Sequence, residues 1–80
     1  MTVRAGVDNA VELHGDCPSA DAEALLQHLL SAPGATVDWR LCDSAHAAVV
    51  QVLMATGAPL RGPPRGSFLR LLVEPALKAR

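Results

Sequence analysis

The residues best suited to chemistry crowd into one window. Asp38, Cys42, Asp43, Ser44 and His46 all lie in "DWRLCDSAH". A cysteine four residues before a histidine can form an activated thiolate nucleophile if the two side chains meet. A helix that begins at Ser44, however, leaves Cys42 outside it, and no Asn or Asp is placed to orient the imidazole. Asp38 and Asp43 would serve as an acid–base pair, yet a strand-end and a helix-cap role account for both. Cys17, Cys42, His14, His28 and His46 show none of the C-x-x-C, H-x-x-x-H or H-E-x-x-H spacings of metal sites. Phosphate-cradling glycine loops are missing too, since "RGPPRG" has prolines where backbone donors are needed. The spacing thus assembles no active site, and no enzyme activity, metal or cofactor is expected. The alternative is a small enzyme or ligand-binding domain using Cys42, His46 and Asp38, for which a reactive Cys42 would be the signature.

The elements that hold this window follow from local patterning. Thr2–Val7 and Val11–His14 read as short strands joined through Asp8-Asn9, and the second ends at Gly15-Asp16. Pro18 and Ser19 open a helix over 18–31, with Asp21 and Glu23 in its first turn. Its apolar stripe is Ala22, Leu25, Leu26, Leu29 and Leu30. "ATVDWRL" is a third strand. Asp43-Ser44 or Ala47-Ala48 could begin the next helix; with Asp43 or Ser44 as its cap it runs over 44–56 and stops at Gly57. "PLRG" is a brief strand with Pro59 at its start or on a sheet edge. A last helix, 67–79, carries Phe68, Leu71, Leu72 and Leu77, and Pro75 should bend or end it. The order β-β-α-β-α-β-α implies a single α/β domain over 1–80, a four-stranded mixed sheet with helices packed on it. Leu26, Leu29, Val37, Val49, Leu53 and Leu72 are its expected core.

Bulk properties exclude several function classes. Hydrophobic residues make up 50% of the 80, so the chain is not disordered, but Trp39 and Phe68 are its only aromatics. That leaves no platform for stacking nucleic-acid bases. The net charge of −1 gives no general attraction to nucleic acid or an anionic membrane, although basic residues crowd the last twenty positions. Signal-peptide and membrane-span patterns are absent, so a cytoplasmic protein with reduced thiols is expected. Six Arg against one Lys, with abundant Ala, suits a GC-rich bacterial genome.

The helix over 44–56 is apolar nearly all round. If Ala45, Val49, Val52, Leu53 and Thr56 face the sheet, then Ala47, Val50, Gln51 and Met54 face outward. Such a face is either covered by another helix or kept for a partner.

The order of elements and the stretch "VDWRLCDSAHAAVVQVL" together resemble a STAS domain, the fold of sulfate-transporter cytosolic domains and anti-sigma-factor antagonists. That family carries a "D-L-S…D-S-S/T-G-L…L-L" signature in which a strand leads into a helix with a phosphorylatable serine at its start. Asp38 takes the place of the strand aspartate and His46 that of the second aspartate. Ala47 and Ala48 fall where the hydroxyl pair would be, and Val49 replaces the glycine. A second register sets Asp43-Ser44 on the family's Asp-Ser and makes Ser44 a candidate phosphosite, but it shifts the core aliphatics off the sheet face. The resemblance implies a non-catalytic interaction module in bacterial signalling, with His46, Ala47, Val50, Gln51 and Met54 as its partner surface and without the usual phosphoserine. The implied partner is a cytosolic regulatory protein: an anti-sigma or histidine-kinase-type protein, a chemotaxis component, or the ATPase of a lipid-transport ABC complex. Nucleic acid and membrane insertion are not implied, and self-association is left open.

Overall fold

The computed structural model describes residues 2–79. Its elements run β1 (Val3–Ala5), β2 (Ala10–Cys17), α1 (Asp21–Ser31), β3 (Thr36–Ala45), α2 (Ala47–Thr56), β4 (Leu60–Arg61), then a π-helical turn (Leu69–Val73) that continues into α3 (Glu74–Lys78). The sheet order is β1-β2-β3-β4, with β1 antiparallel to β2 and the other two pairings parallel. This is the mixed four-stranded sheet that the patterning implies. Asp8 and Asn9 both adopt positive φ, 57° and 58°, which the tight β1–β2 connection requires and short polar side chains tolerate. Pro59 sits just outside β4, where its carbonyl accepts from Val37 N–H at 2.8 Å and its missing donor costs nothing.

One apolar cluster joins the layers. Val11, Leu13, Val37, Trp39 and Cys42 from the sheet meet Leu25 and Leu29 of α1, Val49 and Leu53 of α2, and Leu69. The alternate strand positions carry charge. Across the four strands Arg4 pairs with Glu12, Glu12 with Asp38, and Asp38 with Arg61 in register, a single polar row. Strand geometry turns this row away from the side occupied by Val11, Val37 and Trp39.

Several boundaries differ from the sequence reading. The strand β1 is shorter at both ends, and Pro18–Ala20 form a turn before α1, with Asp21 N–H donating to the Pro18 carbonyl at 3.0 Å. Strands β2 and β3 both run longer than expected, because parallel pairing continues past Gly15 through two register irregularities to Cys17 and Ala45. Asp43 and Ser44 are therefore strand residues rather than helix caps. In α1, Leu26 is only half-buried and Leu30 is exposed, so the stripe enters the core through Leu25 and Leu29. In α2, Thr56 is exposed, its hydroxyl donating to the Val52 carbonyl at 2.8 Å.

Leu72 is the clearest correction. It is 62% exposed, while Leu69 is 1% exposed. In a regular α-helix Leu72 would lie only about 60° round from Leu69. Here Glu74 N–H donates to the Leu69 carbonyl, five residues back. That wider turn carries Leu72 outward and brings the Glu74 side chain beneath the helix, where it is buried. Pro75 lies at the start of α3, where its missing N–H is tolerated.

Candidate partner surface

His46 opens α2. Its backbone is extended (φ −59°, ψ 150°), its carbonyl accepts from Val49 and Val50 N–H, and its Nδ1 accepts from Ala48 N–H at 3.1 Å. A side chain acting as N-cap meets one of the four donors a helix start leaves unpaired. The role that the sequence assigned to Asp43 or Ser44 thus belongs to the histidine. Gly57 closes the helix in the left-handed conformation (φ 63°), donating to the Leu53 carbonyl as a C-terminal glycine should.

Between these caps the helix divides cleanly. Val49 and Leu53 are buried, Ala48, Val50 and Val52 are half-buried, and Ala47, Gln51 and Met54 are exposed. Strand β3 and helix α1 are the elements α2 packs against most. All five expected surface residues, His46, Ala47, Val50, Gln51 and Met54, therefore stand at or near one accessible face. Helix α1 and the end of α2 also flank an open apolar cleft of about 610 Å³ whose lining includes Leu26, Leu30, Ala55 and Pro59.

Asp38, Cys42 and His46 each have other partners. Asp38 lies in the polar row, and its carboxylate takes a two-pronged contact from the Arg40 guanidinium (3.0 and 2.8 Å) and the Arg40 N–H at 3.1 Å. Arg61 approaches to 3.7 Å. Hydrogen bonding from Arg40 holds the Asp38 carboxyl below its ordinary pKa, against the opposing effect of its burial. Cys42 is fully buried, its sulfur 3.3 Å from the Ser44 carbonyl and 3.8 Å from the sulfur of Cys17. His46 is exposed at the helix entry. No hydrogen bond joins any two of Asp38, Cys42 and His46 among the described residues, and none of these residues forms a group of three or more metal-binding side chains.

Ser44 is exposed and donates to Asp16 Oδ1 at 2.7 Å. A phosphate there would face a carboxylate, a repulsive arrangement. Asp43 is clamped by Arg65 through two contacts of 2.7 and 2.8 Å, which lowers the pKa of Asp43 and fastens the 62–66 loop to β3. The Gly66 N–H completes that attachment by donating to the Cys42 carbonyl at 3.0 Å.

A second apolar surface escaped the sequence reading. Phe68 (65%) and Leu71 (66%) are exposed beside Leu72. The signal was present: Phe68, Leu71, Leu72 and Pro75 form one helical stripe, and Leu69, Val73 and Leu77 form another. One helix lying on one core cannot bury both. No helix among the described residues is long and apolar enough to cross a membrane.

No protein-family model matches the chain, and no curated protein matches it.

Proposed function

We propose that the protein is a non-catalytic interaction module, STAS-like in organisation, that docks a cytosolic bacterial regulatory protein on the outer face of α2. The observation that carries this reading is the accessible, nearly uncharged strip of Ala47, Val50 and Gln51 leading on from His46. Small and apolar side chains at a helix surface allow close approach of a partner and add little desolvation cost. The element order and the mixed sheet agree with the fold that the resemblance implies. In the register that sets His46 on the family's second aspartate, Ala47 takes the hydroxyl position, and Ser44 faces Asp16, so control by serine phosphorylation is not part of the proposal. Candidate partners are an anti-sigma or histidine-kinase-type protein, a chemotaxis component, and the ATPase of a transport complex.

Val50→Glu tests the reading. The charge should leave the fold intact, because Val50 is only half-buried, and should weaken partner capture at least tenfold, because the carboxylate would be desolvated without a counter-charge. A folded variant that captures its partner as wild type does moves the surface elsewhere. An unfolded variant means that Val50 is a core residue.

A further inference from the structure

Cys17 and Cys42 are the chain's two cysteines. Twenty-five residues apart, they lie on neighbouring parallel strands with their sulfurs 3.8 Å apart. Both thiols are free, and both are buried, at 2% and 0% exposure. The pairing of β2 with β3 sets Gly15 opposite Cys42 and Cys17 opposite Ala45, and a register irregularity between Gly15 and Asp16 lets the two side chains converge. A disulfide needs its sulfurs about 2.05 Å apart, so these must approach by roughly 1.7 Å further.

From this geometry we infer that Cys17 and Cys42 are a modification site, closing reversibly into an intramolecular disulfide when the protein meets a peroxide. The step balances in two stages. The Cys17 thiolate attacks one peroxide oxygen, the O–O bond breaks, and the leaving hydroxide takes up a proton to become water, which leaves a sulfenic acid on Cys17. The Cys42 thiol then attacks that sulfur and passes its proton to the departing hydroxide, so the S–O bond breaks, a second water leaves, and the S–S bond forms. Two thiols and one peroxide give one disulfide and two waters. Cys17 is the first nucleophile because its hydrogen bond with Cys42 holds its thiol pKa below the ordinary value, while the same contact and burial push that of Cys42 up. With its partner sulfur already in van der Waals contact, the sulfenic acid is consumed before further oxidation. The inference does not depend on the interaction proposed for α2.

The test is intact-mass analysis of the native protein after treatment with hydrogen peroxide at neutral pH. The expected product is a monomer lighter by about 2 Da, with no thiol titratable in denaturant and both thiols restored by dithiothreitol. In Cys42→Ser, a dimedone adduct should appear on Cys17 instead. The inference is overturned if wild type keeps two titratable thiols, gains oxygen on either sulfur, or forms only disulfide-linked dimers. A Cys42→Ser variant that takes up no dimedone removes the assigned order of attack. Should that variant fail to fold, the wild-type mass still decides the main claim.

Discussion

Leu69 and Leu72 stand three residues apart in one helical segment, yet their truncation should have opposite consequences. Leu69 is 1% exposed and belongs to the core cluster. Removing its isobutyl group forfeits its transfer free energy and leaves a cavity, together worth about 2–5 kcal/mol. An 80-residue chain holds roughly 4–12 kcal/mol in total, so Leu69→Ala spends a large part of it. Leu72 is 62% exposed. Its truncation leaves no cavity, and alanine is the better helix former, so Leu72→Ala should stay within about 0.5 kcal/mol of wild type. Urea unfolding followed by circular dichroism separates the two. With a denaturant slope near 1 kcal/mol per molar for so small a domain, Leu69→Ala should lower the midpoint by about 2 M or more, or leave the chain unfolded in buffer. Leu72→Ala should lower it by less than about 0.5 M. If Leu72→Ala shifts the midpoint as far as Leu69→Ala does, the π-helical turn is misplaced and the last helix presents its other stripe to the core.

Further predictions concern the edges of the surface and the polar row. A Cβ at Gly66 would run into the Asp43 backbone carbonyl, which cannot swing aside as a side chain could, so Gly66→Ala should cost about 1–3 kcal/mol while Ser67→Ala is tolerated. Equal melting temperatures for the two variants would contradict the loop attachment. His46→Ala removes the cap on Ala48 N–H and should cost about 1 kcal/mol, a fall of roughly 4–8 °C in Tm, whereas His46→Asp, which keeps an acceptor, should stay near wild type. The Asp38 carboxyl has a folded pKa below its unfolded value, so its contribution is present above about pH 4 and is lost as pH falls through the folded pKa. The stability gap between wild type and Asp38→Asn should therefore narrow between about pH 5 and pH 2 in urea titrations, and a constant gap would refute the Arg40 pairing.

Where one local signal decides an element, that element was legible. Alternation and turn chemistry located the hairpin at Asp8-Asn9, the leucine stripe located α1, and Gly57 located the end of α2. The misreadings arise where a partner strand decides instead. Gly15-Asp16 and Cys42-Asp43-Ser44 carry turn and cap chemistry, yet each continues a strand because the other pairs with it. The helix start consequently moved from Ser44 to Ala47 and the cap passed to His46. Leu72 was lost to a change of helical winding that periodicity assumes constant. The residues of the proposed surface belong to one helix and its cap, so periodicity alone groups them. The polar row and the thiol pair were not legible, since both depend on cross-strand register.

Docking of a partner on the outer face of α2 would shield the backbone amides of that helix from solvent. Amide hydrogen exchange of the native protein, alone and with its purified partner, measures this directly. Slowed exchange should concentrate in residues 46–56, with Val50→Glu abolishing the protection and leaving the exchange of the free protein unchanged. Protection confined to the segment around Phe68, Leu71 and Leu72, or to the charged sheet face around Glu12 and Asp38, would contradict docking on α2.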